Sequence, residues 1–454
     1  MTTLTPTRTF RPRRAGLLAA LIVAAIAIAV AIPGVLRNYG PWADEGTATQ
    51  AAKAELPAAL FRSGGGDAGI EKLQQRLKEN PQDFGAHLSL ANGYLQKVRE
   101  TGDPAYYTKA DELLKGAARL DASNPELLAT QGILALARHD FAGALVFGRQ
   151  ALAQDSERAR YYGVVADAQV ELGQYNEAVN SLQEMVNRRP DFDAFSRVAY
   201  ARELHGDPEG AIEAMQFAIE AGSSIPENIA WAHVQVGNRY FDLGRLDDAT
   251  KEYDTALTTF TEYASALAGQ AQVAAARGDL AKAATLYQQA FDRMPLSQYA
   301  IALGDVAAKQ GDTAKAASQY SLVRALDRLY TANGANTDLE LALFLADHNL
   351  DLGESLAKAR AAYSARPSIH AADVLAWTLF KTGNVQEAEK YAQEALKLNT
   401  RDSLKLFHAA VIEKALGKKD EAKNLFEQAT SLNPRFSVLH ADDAAAALKE
   451  LRGS

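Results

Sequence analysis

An alanine returns along this chain at a nearly fixed interval, and no other feature limits the fold so tightly. It stands at Ala110, Ala144, Ala178, Ala211, Ala249, Ala283, Ala316, Ala357, Ala388 and Ala422, spaced 34, 34, 33, 38, 34, 33, 41, 31 and 34 residues apart. Its companions keep register with it. Five residues earlier comes glycine, at Gly173, Gly206, Gly244, Gly278, Gly311, Gly383 and Gly417. Four residues later comes a bulky side chain, as at Leu182, Met215, Tyr253, Tyr287, Tyr320 and Phe426. Seven later a second alanine follows, at Ala151, Ala218, Ala256, Ala290, Ala395 and Ala429, and twelve later a proline at Pro190, Pro295 and Pro434. These offsets describe a helical hairpin. Small residues let two helices approach where they cross, glycine ends the first helix in the left-handed conformation, and proline stops the second. One hairpin cannot cover its own apolar faces, so each must stack on the next.

The pattern resembles the tetratricopeptide repeat, most closely at Val236-Gly237-Asn238-Arg239-Tyr240-Phe241-Asp242-Leu243-Gly244 and from Gly417 to Ala422. The resemblance covers about Ile70 to Leu451. It implies an all-α fold, a right-handed α-solenoid of about ten such hairpins over residues 68–451, with a capping helix from residue 435. Two places depart from it. His139 stands where the second unit should have its turn glycine, and an insertion around Thr331 to Thr337 precedes the unit at Leu339 to Pro367, whose register stays open. The stretch from Leu339 to Leu439 is also similar to a recurring bacterial-envelope tetratricopeptide family, through Leu341-Ala342-Leu343-Phe344, Asp373-Val374-Leu375-Ala376-Trp377 and Asn433-Pro434-Arg435-Phe436-Ser437. That likeness implies no activity.

The chain begins differently. Residues 1–14 are basic, with Arg8, Arg11, Arg13 and Arg14, and the 22 residues from Ala15 to Leu36 contain no charged or polar side chain. A helix of that length, rising about 1.5 Å per residue, crosses a hydrocarbon core of about 30 Å. Only Arg37 follows closely, so the positive-inside rule leaves residues 1–14 in the cytoplasm. The expected arrangement is one pass through the plasma (inner) membrane, residues 37–67 as a linker, and the repeats extracytoplasmic or periplasmic. A signal peptide cut after Ala29-Val30-Ala31 is the alternative, and it puts the repeats on the same side.

Composition narrows the chemistry. Without cysteine there is no disulfide scaffold, no thiolate metal site and no thiol catalysis. Beyond Arg37 stand 43 basic and 56 acidic residues, a balance that disfavours nucleic acid and anionic lipid as partners. The eight histidines are scattered and form no His-Glu-x-x-His. His370 with Asp373, and His440 with Asp443, stand three apart and read as surface hydrogen bonds rather than ligand pairs. Gly64-Gly65-Gly66 lacks the Lys-Ser/Thr of a phosphate loop, and no Gly-x-Ser-x-Gly is present. The expectation is a non-enzymatic chain with no cofactor and no metal.

Recognition then remains. The resemblance implies that the first helices of successive units line a concave groove. Carried onto this chain, the lining positions are Asn92, Asp167, Tyr200, Asn238, Phe241, Asp242, Gln272, Asp305, Trp377 and Phe380, with Arg160, Trp231, Ser265 and His370 one turn earlier. Trp231 with Asn238, Phe241 and Asp242, and Trp377 with Phe380 and Lys381, make two aromatic patches suited to anchoring a peptide or helix, unless each tryptophan packs on the neighbouring unit. The lysine–asparagine clamp of the cytosolic chaperone-tail receptors is incomplete: Asn92 and Asn238 are present, but Leu88 and Val234 stand where the lysine would be. The expected partner is a basic or neutral protein or peptide. The expected role is a scaffold or assembly factor of the cell envelope, the alternatives being a chaperone for exported polypeptides and, behind it, a metal- or small-ligand-binding module.

Overall fold

The computed structural model describes residues 68–453; the basic tail, the apolar segment expected to anchor the chain and the linker lie outside the described residues. Among the described residues there are twenty-two helices and no strand, and no helix is long and apolar enough to cross a membrane. Helix α1 (Ala68–Glu79) precedes ten hairpins. Units 1 to 5 are α2/α3 (Phe84–Thr101, Ala105–Leu120), α4/α5 (Pro125–Ala137, Phe141–Gln154), α6/α7 (Ala159–Glu171, Tyr175–Arg188), α8/α9 (Phe192–Leu204, Pro208–Ala221) and α10/α11 (Pro226–Asp242, Leu246–Thr259). Units 6 to 10 are α12/α13 (Ala264–Ala276, Leu280–Arg293), α14/α15 (Ser297–Lys309, Thr313–Ala332), α16/α17 (Asp338–Asp347, Leu352–Ala365), α18/α19 (Ile369–Lys381, Val385–Ala395) and α20/α21 (Ser403–Ala415, Lys419–Leu432). Helix α22 (Ala441–Gly453) packs Ala444, Leu448 and Leu451 onto the last unit.

Each hairpin follows from its local chemistry. Where a glycine makes the turn it is left-handed, and in units 4, 6 and 7 the aspartate after it caps the next helix. Asp207, Asp279 and Asp312 accept the backbone N–H of Gly210, Lys282 and Lys315 at 2.9, 3.0 and 3.0 Å, satisfying donors that a helix start leaves open. In unit 2, His139 itself takes the left-handed conformation (φ 54°) and Asp140 caps Gly143. The crossing alanines Ala144, Ala178, Ala249, Ala283, Ala388 and Ala422 have no exposed surface, nor do Ala151, Ala218, Ala256, Ala290 and Ala429 seven residues on.

Unit 8 corrects the sequence reading. The insertion before it extends α15, which runs 20 residues where α13 has 14. The unit turns through Asn349 and Asp351, both left-handed, instead of a glycine. Its crossing position is Ser355, which is fully buried and donates to the Ala342 carbonyl at 2.7 Å; Ala357, expected there, is exposed. The register was two residues off because the turn is built differently.

The stack winds back on itself at a constant offset. The turn inside unit n meets the link that follows unit n + 5. Gly102 of unit 1 lies against Met294 and Leu296, ahead of unit 7. His139 Nδ1 of unit 2 bonds the Asn336 carbonyl at 3.1 Å. The Tyr175 hydroxyl of unit 3 accepts from Ile369 N at 2.8 Å, and Thr400 donates to the Leu204 carbonyl of unit 4. Asn433 Nδ2 donates to the Phe241 carbonyl of unit 5 at 2.7 Å. Successive superhelical turns therefore join edge to edge, and the inner face is enclosed.

Candidate functional site

The first helices of units 1 to 5 close into a ring. The clasp is Glu227, at the start of α10, whose side chain has no exposed surface. It accepts from Arg99 of α2 at 2.7 Å, from Gln96 at 3.3 Å and from the Tyr263 hydroxyl at 2.7 Å. Inside the ring is a cavity of about 360 Å³. Its apolar wall is Leu136, Val164, Met185, Phe192 and Trp231; its polar wall is Asn92, Gln96, Arg99, Arg160, Asp167 and Arg197.

Every guanidinium on that wall is anchored. Arg160 pairs with Glu126 at 2.9 Å and donates to Asn92 Oδ1 at 3.0 Å. Arg197 grips Asp167 with two bonds of 2.8 Å, the fork geometry that fixes both planes. Burial pushes the Asp167 carboxyl above the usual carboxylate range, while Arg197 pulls the other way. Trp231 is 2% exposed, packs edge-on against Phe192, and its Nε1 has no hydrogen-bond partner among the described residues. The wall offers oriented N–H donors over an apolar floor, which suits peptide carbonyls beside one or two apolar side chains.

The fifteen residues picked from the sequence separate into six places. Asn92, Arg160, Asp167 and Trp231 share this cavity, and Ser265 of unit 6 meets the Tyr299 hydroxyl of unit 7 at 3.3 Å. Phe241, Gln272 and Asp305 line a second cavity of about 380 Å³ against Arg435–Asp442, the segment leading to α22. Tyr200 and His370 meet each other across the seam, hydroxyl to Nε2 at 3.0 Å. Asn238 accepts from the Tyr253 hydroxyl of its own unit at 2.9 Å, and Asp242 pairs with Arg239 at 3.0 Å. Trp377, Phe380 and Lys381 form a stack at the C-terminal end: the two rings lie 5.3 Å apart and the lysine Nζ sits 5.2 Å over the indole. Trp377 is buried and gives its N–H to Asp347 at 2.7 Å, so it packs on the neighbouring units instead of standing in an open groove. Phe241 is likewise buried.

The sequence reading missed Arg99, Glu227 and Arg197. For Arg197 a signal existed. It pairs with a residue 30 positions back, and Arg160 with one 34 back, close to one repeat. Looking only three or four residues along a helix hides such pairs. The His370/Asp373 and His440/Asp443 spacings fail for the same reason: Asp373 binds His408 of the next unit, and His440 binds Asp347.

Four models described as tetratricopeptide repeat match the chain, over residues 135–202, 237–295, 368–401 and 406–436. No curated protein matches it. Among solved structures it is similar to a tetratricopeptide repeat protein from Parabacteroides merdae (17% identity, 54% of this chain and 93% of that one, TM-score 0.33). It is also similar to PilW, a type IV pilus biogenesis factor (16% identity, 46% and 97%, TM-score 0.38). A third is Cut9 with Hcn1 from the APC/C (12% identity, 84% and 92%, TM-score 0.33).

Proposed function

We propose that this chain, built of tetratricopeptide repeats, is a non-enzymatic protein-binding scaffold or assembly factor that takes a short segment of a partner into the ring of units 1 to 5. The observation that carries the reading is the cavity itself: five first helices closed by Glu227 around an apolar floor, with three anchored guanidiniums and the amides of Asn92 and Gln96 on its wall. A volume of about 360 Å³ accommodates a few side chains and not a folded domain. The recognised element is therefore a loop, terminus or extended peptide, neutral in charge since Asp167, Glu227 and Glu126 each pair with one of the three arginines. The apolar segment Ala15–Leu36 supports placing this scaffold at the plasma membrane with the repeats outside the cytoplasm.

Ile225 lies on the cavity rim and is 37% exposed, which makes it the place for a photo-crosslinking residue. One dominant adduct in intact cells, absent when the probe sits at outward-facing Val146, is the expected result. The same adduct from both positions, or none from residue 225, would refute the ring as the binding site. Many exported proteins trapped at once would instead make the protein a holding chaperone.

A further inference from the structure

We propose that the C-terminal end of the solenoid holds one divalent first-row transition ion, of the zinc class, between Asp347, His408 and His440. Asp347 ends α16, His408 lies on α20, and His440 immediately precedes α22, so the ligands come from units 8 and 10 and from the lead into the capping helix. One ligand atom from each lies within 4.8 Å of the other two. His440 Nε2 and Asp347 Oδ1 are already 3.2 Å apart, close to the ~3.3 Å edge of a tetrahedral site with ligand bonds of about 2.0–2.2 Å.

The second observation is His408 itself. It has no exposed surface. Its Nδ1 is held by both oxygens of Asp373, at 3.1 and 3.2 Å, and its Nε2 has no hydrogen-bond partner among the described residues. A carboxylate that fixes one imidazole nitrogen leaves the other as a lone-pair donor; this is how metal-bound histidines are oriented. Trp377 completes the frame: its indole stacks on His408 at 4.3 Å and its N–H fixes Asp347 at 2.7 Å. Two imidazoles and one carboxylate select zinc, cobalt or iron(II) over magnesium or calcium, which prefer all-oxygen sites. Asp347 and Asp373 together offset a 2+ ion, and Asp443 faces the neighbouring Lys381 ammonium. Bound there, the ion would tie the capping helix to units 8 and 10.

The test uses the purified full-length chain stripped with a chelator, titrated with zinc by calorimetry and with cobalt by absorption. The expected result is one ion per chain, the visible bands of four- or five-coordinate cobalt, and a raised melting temperature, with no response to magnesium or calcium. Asp347→Asn, which keeps an acceptor for Trp377, and His440→Gln should abolish binding while circular dichroism stays unchanged. Asp373→Asn should weaken it by about 10- to 100-fold. His233→Gln, a histidine paired with Glu252 in unit 5, should leave it intact. Failure to retain zinc at neutral pH overturns the proposal. So does one-to-one binding that survives both Asp347→Asn and His440→Gln, or a magnesium response equal to that of zinc.

Discussion

Gly206 and Gly417 occupy the same turn position with nearly the same backbone, φ +78° and +79°. Placing alanine at either costs the left-handed penalty, about 1–2 kcal/mol. At Gly417 that is the whole effect, because a Cβ there meets nothing within 4 Å. At Gly206 it would stand 2.4 Å from the carbonyl oxygen of Asn399, which belongs to the next superhelical turn. The link must retreat by ~1 Å to reach ordinary van der Waals contact. That retreat strains the neighbouring Thr400 bond to the Leu204 carbonyl. A lost hydrogen bond is worth about 1 kcal/mol and overpacking about 1–3 kcal/mol. Gly206→Ala should therefore cost about 2–4 kcal/mol more than Gly417→Ala. Urea unfolding measures the difference, and hydrogen exchange locates it: amides of 399–402 and 204–207 should exchange faster in the Gly206 variant alone. Equal stability loss in the two variants, with unchanged exchange at the seam, would refute the edge-to-edge closure.

The clasp is tested by Glu227→Gln, which removes the charge facing Arg99 but keeps an acceptor for Tyr263; loss of a buried pair partner costs about 3–5 kcal/mol, and the partly exposed guanidinium puts this case near ~2–3 kcal/mol by thermal or urea melting. Melting should also show Ser355→Ala costing about 1 kcal/mol while Ala357→Ser stays within ~0.5 kcal/mol; the reverse order would restore the alanine register. Burial, helped by nearby Arg366, holds the His139 imidazole down at about 4, against an ordinary 6.5. The folded chain then keeps it neutral while the unfolded chain takes up a proton below about pH 6.5, so its contribution is full above that pH and is lost as pH falls toward 4, about 3 kcal/mol in all. His139→Gln should flatten the stability–pH slope between 6.5 and 4, and an unchanged slope would contradict the burial.

How much of this could be read in the letters depends on the distance over which a contact is encoded. The hairpins were legible because their determinants are local: a left-handed glycine, a small residue at each crossing, a bulky one four later. Where the local chemistry changed, as at Asn349 and Asp351, the register slipped by two. Contacts one repeat apart, such as Arg197 with Asp167 or His408 with Asp373, were within reach of a comparison between equivalent positions of adjacent units. Contacts between turns of the superhelix were not. The pairing of Gly206 with Asn399 depends on the rotation from each unit to the next, accumulated over more than five units, and each rotation is set by many small packing choices. This is also why the inner face could not be drawn correctly. A groove read from one unit's first helix is open by assumption, whereas the accumulated rotation brings α10 back to α2 and turns the groove into a ring. The glycines record the outcome. Gly173 and Gly206 each have a foreign backbone carbonyl where a Cβ would sit, while Gly278, Gly311, Gly383 and Gly417, in units with no later turn to meet, face open space. Identical residues in the repeat pattern therefore carry different constraints, and the difference follows from where along the superhelix each one falls.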